Sequence, residues 1–289
     1  MPGAFTHLTL TNLALAENML AKTQLSFHAQ FAITENTPYI ELGSISPQYP
    51  YFATNFFQDN VIWAEYMQLD KKTDVMIKKA TELIRELENQ HEKDKAFAWL
   101  CGFISNIVAD AVIHPVLELK AGQYKDNQEE HNIYPKINLD EINLTEFLAT
   151  DISKCSDSSD NKKLDPIIKN IWLQTLKEIR TDEFSSNMPS VDIWHQSFQK
   201  IVSLSEKENE LHFGQSYLPQ YSADINDLKT PNGTMDYDEI INIVKEKILQ
   251  SWKVIDEAIF ENKQDKLKYF SGWNIDNGRD INNKLIFWS

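Results

Sequence analysis

Residues 94–119 decide the fold, and they read DKAFAWLCGFISNIVADAVIHPVLEL. This stretch is apolar almost all round at helical spacing, a pattern typical of a central helix that is buried on every side. Pro115 is predicted to kink this helix or to end its first part. Outward from it, amphipathic helices are predicted at 74–90 and at about 12–32, where Asn12 is the expected N-cap.

The rest of the chain alternates between helical and irregular patterns. The stretch 35–60 is rich in proline and aromatic residues and is predicted to be loop. Residues 120–163 are polar and irregular, and within them 151–163 has the composition of a mobile segment. Further helices are predicted at 166–180, 191–208 and 236–262. The sequence therefore predicts a mainly α protein, with residues 1–289 forming a single domain around a buried central helix.

Composition excludes several classes of protein. The chain has 289 residues, with 28 Lys+Arg against 43 Asp+Glu and a formal net charge of −15. This acidity disfavours nucleic acid and anionic membranes as partners. No uninterrupted run of 18 apolar residues predicts a membrane span, and no Sec signal peptide is recognisable. Two cysteines form no disulfide framework, so we expect a cytoplasmic protein.

Three polar side chains interrupt the apolar central helix. Asn106, Asp110 and His114 are spaced four residues apart and therefore share one face of the helix. A buried Asp is costly unless it is paired, hydrogen-bonded or bound to a metal. The pattern leaves two interpretations open, a structural Asp–His pair or a metal or catalytic site. His7, near the start of the chain, and His131, in a polar loop, are further candidates.

Several segments together resemble the zinc-dependent phospholipase C family, whose superfamily includes the P1-type nucleases. They include MPGAFTHLTL (1–10), ELGSISPQYPY (41–51), the central helix, EEHNIYPKINLDE (129–141) and GWNIDNGRD (272–280). Residues 145–235 are the least covered. The resemblance implies a mainly α, phospholipase C/P1-nuclease-like multi-helix fold. It also implies a zinc cluster between the helices that hydrolyses a phosphodiester.

The resemblance also assigns eight metal-ligand positions. Four are kept, and these are His7, Asp110, His114 and His131. Four are changed, and these are Gln48, Gln68, Asn106 and Pro135. In the family, Asp110 would bridge metals, and Gln48 replaces an aspartate that serves as the base for the attacking water. Glu65, Glu130 and Asp140 are near enough in sequence to stand in for lost ligands.

The substitutions predict a depleted metal centre. Zinc prefers imidazole nitrogens and carboxylate oxygens, and neutral amides are poor substitutes. We therefore expect zinc at reduced occupancy and no full three-zinc cluster. Gln48 cannot take a proton at neutral pH, so it cannot replace the catalytic base.

Two hypotheses about function follow. The first is a catalytically impaired or non-hydrolytic relative that binds a ligand or a protein partner in the old cleft. The alternative is an active metal-dependent phosphodiesterase of the phospholipase C type that uses a reduced zinc site. The resemblance suggests a phosphodiester or lipid-headgroup-like ligand. Export by a specialised secretion system stays open, because such systems need no Sec signal.

Overall fold

The computed structural model describes residues 4–20, 23–53, 61–69, 72–121, 155–208 and 228–288. Its helices are α1 (Ala4–Leu15), α2 (Glu17–Leu20), α3 (Phe27–Glu35), α4 (Thr37–Ile45), α5 (Tyr49–Phe52), α6 (Val61–Leu69), α7 (Thr73–Glu86), α8 (Gln90–Ala121), α9 (Pro166–Ile179), α10 (Thr181–Ser186), α11 (Val191–Glu208) and α12 (Tyr237–Phe260). Two 3-10 helices span Ser46–Gln48 and Gln264–Phe270. The strands are β1 (Ser156–Asp157), β2 (Asp160–Leu164), β3 (Leu228–Thr230) and β4 (Gly233–Met235), and they pair as two antiparallel hairpins. The mainly α fold predicted from the sequence is thus confirmed.

Helix α8 is the buried centre of this arrangement, as its all-round apolar sequence predicts. It runs for 32 residues and contacts α1, α3, α4, α7 and α12. Pro115 lies inside the helix and does not end it. By length and composition, Gln90–Leu119 is the single candidate for a membrane span in the described part of the chain, but its most apolar window is wholly buried inside the protein. A core helix passes the same test, so the predicted absence of a membrane span stays a prediction.

Helices α4 and α8 approach each other so closely that their backbones touch. A Cβ atom on Gly43 would lie 2.0 Å from the carbonyl oxygen of Trp99. One on Gly102 would lie 1.9 Å from the carbonyl oxygen of Ile40. Both distances are far below van der Waals contact, so each position requires glycine. This close approach brings the 3-10 turn after α4 against the polar face of α8.

Two predictions about the N-terminal third are wrong. The stretch 35–60 is helical over α4, the 3-10 turn and α5 within its described part. Its aromatic and apolar side chains pack against α8, and this tertiary burial overrides the loop-like composition. Asn12 is not an N-cap, because it lies inside α1. Its amide donates to the Leu8 carbonyl and to Glu41, which ties α1 to α4.

Part of the segment predicted to be irregular forms a short hairpin. Strands β1 and β2 pair within residues 156–164. The amide of Asp165 then donates to the Cys155 carbonyl over 2.7 Å, and its carboxylate caps α9. The hairpin is thereby fixed to the start of a helix, while residues 151–154 lie outside the described chain.

Candidate functional site

Six of the eight candidate ligand positions belong to the described residues, and all six are buried. They are His7 on α1, Gln48 at the end of the first 3-10 helix, Gln68 on α6, and Asn106, Asp110 and His114 on α8. We call Gln48, Gln68, Asn106, Asp110 and His114 the buried polar cluster. The remaining candidates, His131 and Pro135 with Glu130 and Asp140, lie outside the described residues.

Asp110 lies between two imidazoles. Its Oδ1 atom is 3.4 Å from Nε2 of His7 and 3.6 Å from Nε2 of His114. Neither carboxylate oxygen has a hydrogen-bond partner within the described ranges. Burial raises the pKa of Asp110 to about 8, and the nearby charge of Asp276 adds to the rise. The spacing of the central helix therefore predicts this grouping correctly for its Asp and His.

A backbone carbonyl fixes the tautomer of His114. Its Nδ1–H donates to the carbonyl oxygen of Ile275 over 2.7 Å. Because a carbonyl can only accept, the proton sits on Nδ1, and Nε2 carries a lone pair. Burial lowers the pKa of His114 to about 4, so the ring is neutral at pH 7. Its Nε2 atom is buried and has no hydrogen-bond partner among the residues described.

The amide of Asn106 joins the central helix to the 3-10 turn. Its Nδ2 atom donates to the Ser44 carbonyl over 2.7 Å and to Oε1 of Gln48 over 2.9 Å. Oδ1 of Asn106 and Nε2 of Gln48 are buried and find no partner in the described chain. Two of the candidate ligand positions thus hydrogen-bond to each other through their side-chain amides.

Gln68 is the third changed position in the described chain. It is 1% exposed, and neither its oxygen nor its nitrogen has a hydrogen-bond partner among described atoms. Helix α6, which carries it, contacts the 3-10 turn that carries Gln48. Glu65, on the same helix, is exposed to solvent. The structure therefore does not bring Glu65 into the buried polar cluster.

The side chains of the described residues alone do not form a donor set that fits a zinc cluster. Zinc sites combine three or four His, Cys or carboxylate ligands. In the part of the chain that the structure describes, no group of three or more His, Cys, Asp or Glu side chains is placed to hold a metal ion. His7 and His114 both approach Asp110, but the described remainder of the cluster consists of amides.

The C-terminal turn contributes Asp276 and lies beside Glu118 of α8, two acidic residues that sequence reasoning missed. Asp276 follows the carbonyl that holds His114, and burial raises its pKa. Glu118, one turn beyond His114, has a raised pKa from burial and lies 3.9 Å from Arg279. Gly278 presses this turn onto α8, because a Cβ there would lie 2.4 Å from the Ala111 carbonyl. Nothing in the local sequence pattern indicates that this turn reaches the central helix.

Comparison with known proteins identifies a family. A sequence profile described as zinc dependent phospholipase C matches residues 6–182. The matched region contains every candidate ligand position named from the sequence. No curated protein and no solved structure shows significant similarity to the chain.

Proposed function

The chain belongs to the zinc-dependent phospholipase C family, and we propose that it is a non-hydrolytic relative with a depleted metal centre. In this proposal the former metal cleft binds a small ligand or a protein partner. The family assignment is shared by both functional hypotheses, so the choice between them depends on the chemistry of the buried polar cluster.

The hydrogen bonds of Asn106 carry this proposal. A zinc ligand must direct a lone pair at the metal, and zinc gains most from charged or strongly basic donors. The Nδ2 atom of Asn106 has no lone pair to offer a metal and donates to Ser44 and Gln48, so only its neutral Oδ1 atom remains, which is a weak zinc ligand. Oε1 of Gln48, which would have to replace a carboxylate oxygen, accepts this same hydrogen bond. Two neighbouring ligand positions have thus become a neutral amide pair.

The same pair removes the proposed catalytic base. Hydrolysis of a phosphodiester requires a group that takes a proton from the attacking water, or a metal that lowers the pKa of that water. Gln48 stands where the family aspartate would act, and an amide oxygen does not take a proton at neutral pH. The proposal therefore predicts little or no hydrolysis.

An active phosphodiesterase with a reduced zinc site is the second candidate. The observation that favours it is the set of lone pairs around Asp110 that lack hydrogen-bond partners among the described residues and suit a metal ion. Both carboxylate oxygens and the Nε2 lone pair of His114 are buried without hydrogen-bond partners in the described part of the protein. His7 lies beside the same carboxylate. With His131 added, these residues would hold zinc at reduced occupancy.

Zinc content and hydrolysis separate the two candidates. The protein is purified without chelator, and its zinc is measured per chain alongside the release of product from a phosphodiester substrate. Our proposal expects less than one zinc per chain and no hydrolysis above that of Asp110→Asn. Two or more zinc ions per chain, or hydrolysis that Asp110→Asn abolishes, would contradict it.

Restoring the changed positions tests the assignment of ligand positions. The combined variant Gln48→Asp, Gln68→His, Asn106→His and Pro135→Glu should bind zinc more tightly than the natural chain, because imidazole and carboxylate replace amide and proline. Asn282→His adds an exposed imidazole elsewhere and serves as the matched control. Equal zinc affinity in the combined variant and the control would refute the assignment.

The net charge and the cysteines support a proposal about the partners and the cellular location of the protein. The net charge of −15 supports the proposal that the protein has no nucleic-acid partners. Cys101 and Cys155 are both buried free thiols, which supports a reducing, cytoplasmic setting. We also propose that residues 1–289 act as a single domain. Fractionation of the cells that express the protein tests the location.

A further inference from the structure

The chain contains the dipeptide Asn-Gly twice, at Asn232–Gly233 and at Asn277–Gly278. Asparagine is a chemically labile residue, because the next backbone nitrogen can attack its side-chain carbonyl carbon. A following glycine favours the attack, since it has no side chain to obstruct it. Both glycines lie in turns with a positive φ, 112° at Gly233 and 64° at Gly278. The two sites therefore share their local chemistry and differ in their surroundings.

The first site lies at the exposed tip of the β3–β4 hairpin. Asn232 and Gly233 are both exposed to solvent, and a Cβ atom on Gly233 would meet no described atom within 4 Å. The Thr230 hydroxyl closes the turn by donating to the Gly233 carbonyl over 2.8 Å. The hairpin pairs three residues of each strand, and so short a hairpin opens at little cost. The Asn232–Gly233 peptide therefore has room to rotate into the geometry of attack.

The second site is clamped against α8. Gly278 is buried, and a Cβ atom there would lie 2.4 Å from the Ala111 carbonyl oxygen. The carbonyl of Gly278 accepts a hydrogen bond from the amide of Ile286 over 2.9 Å. The side-chain Oδ1 of Asn277 accepts one from the amide of Arg279 over 3.1 Å. Rotation of the Asn277–Gly278 peptide would break these contacts.

We infer that Asn232 is a self-modification site of the folded protein, whereas the packing of the C-terminal turn protects Asn277. The nitrogen of Gly233 bonds to Cγ of Asn232, and the bond from Cγ to the side-chain nitrogen breaks. The proton of the Gly233 nitrogen leaves with that side-chain nitrogen as ammonia. Water then opens the resulting succinimide at either carbonyl, which gives aspartate or isoaspartate and adds one negative charge.

This selectivity preserves the buried polar cluster. The turn that contains Asn277 also supplies the Ile275 carbonyl that holds His114. Isoaspartate at position 277 would lengthen the backbone of this turn beside Gly278, where no space exists for an additional atom. The same reaction at Asn232 alters a hairpin tip that holds no member of the cluster. The inference is thus independent of whether the former metal cleft hydrolyses a substrate.

Ageing the full chain at mildly alkaline pH tests the selectivity, because deprotonation of the backbone nitrogen speeds the attack. Peptide mapping by mass spectrometry follows the replacement of nitrogen by oxygen at each Asn-Gly, and Asn232→Asp supplies the standard for the aspartate product. In the folded protein, Asn232 should convert about tenfold or more faster than Asn277. In concentrated urea the two rates should agree within about threefold, because unfolding removes the packing around Gly278.

Ion-exchange chromatography of aged variants identifies the reacting residue. Asn232→Gln keeps an amide but requires a larger ring for the attack, so it should abolish most of the gain in negative charge. Asn282→Gln changes an exposed asparagine that Asn283 follows, and it should leave the gain unchanged. Equal conversion of Asn232 and Asn277 in the folded protein would overturn the inference. Conversion of Asn232 in urea alone, or an undiminished charge gain in Asn232→Gln, would overturn it as well.

Discussion

His195 and His114 are both buried imidazoles, yet their surroundings differ. Nδ1 of His195 shares a hydrogen bond of 3.0 Å with the Tyr49 hydroxyl, and Nε2 shares one of 3.0 Å with Ser156. Gln199 donates to Ser156 over 2.9 Å and lies 3.1 Å from Nε2 of His195. His114 has its backbone partner at Nδ1, but its Nε2 has no hydrogen bond within the described structure.

The comparison shows which property separates a structural histidine from a candidate site. Burial lowers the pKa of both histidines to about 4, so the pKa does not distinguish them. The completeness of their hydrogen bonding does. A network with a partner for each polar atom stabilises a fold, whereas unsatisfied buried atoms cost stability and are retained where a ligand completes them. We therefore assign a structural role to His195, whereas a binding role for His114 belongs to the proposed function.

The largest effect is expected where the satisfied network is broken. His195→Ala should lower the free energy of unfolding by about 3 kcal/mol, because it leaves a cavity and removes the partner of both Tyr49 and Ser156. Urea denaturation at pH 7.5 measures the loss. His91→Ala, at an exposed position, should change stability by less than about 0.5 kcal/mol. Equal, small effects of the two substitutions would remove the structural assignment of His195.

The second-largest effect is expected at Asp110, whose carboxylate oxygens have no hydrogen-bond partner in the described part of the chain. Asp110 has a folded-state pKa of about 8 against 3.8 in the unfolded chain. Between these values the folded protein holds a proton that the unfolded chain has released, so stability falls as pH rises. Between pH 6.5 and 8 the natural chain should lose on the order of 2 kcal/mol relative to Asp110→Asn.

Denaturation in the presence of chelator at both pH values measures this difference. His195 is present in both proteins, so its titration in the unfolded chain, near its ordinary pKa of 6.5, cancels in the difference between the natural chain and Asp110→Asn. The two networks are therefore tested separately. A parallel pH dependence of the natural chain and Asp110→Asn would show that Asp110 is compensated in the folded protein and would weaken the contrast.

Sequence patterns predict the framework better than they predict these networks. The apolar stretch 94–119 predicts the buried central helix, and helical spacing places Asn106, Asp110 and His114 on one face, because both follow from local periodicity. The hydrogen-bond acceptor of His114 is Ile275, 161 residues away in sequence. No local pattern specifies such a contact, and the same is true of Asp276.

Local sequence patterns also fail to predict the hydrogen-bond network of His195 and the helices within the segment 35–60. The hydrogen-bond partners of His195 are Tyr49 and Ser156 from two other elements and Gln199 one turn along its own helix. The segment 35–60 has a loop-like composition, yet its helix α4 forms where Gly43 meets α8. In both cases long-range contacts decide the outcome, and single-sequence patterns record only local preferences.

The smallest effect compares one glutamine from each region. Gln68 is buried with neither amide atom hydrogen-bonded to described residues, whereas the amide of Gln199 bridges Ser156 and His195. Glutamine and methionine have similar shapes, so substitution changes mainly the hydrogen bonding. Gln68→Met should raise the free energy of unfolding by about 0.5–1 kcal/mol, and Gln199→Met should lower it by about 1 kcal/mol.

Urea midpoints of the two variants at pH 7.5 give the signs directly. Opposite signs are expected because methionine relieves Gln68 of unmet hydrogen-bonding groups but deprives Ser156 and His195 of a donor. A stability loss in Gln68→Met as large as that in Gln199→Met would show that Gln68 has partners in the folded protein. Gln68 would then belong to a satisfied network like that of His195, and the buried polar cluster would lose one member as a ligand site.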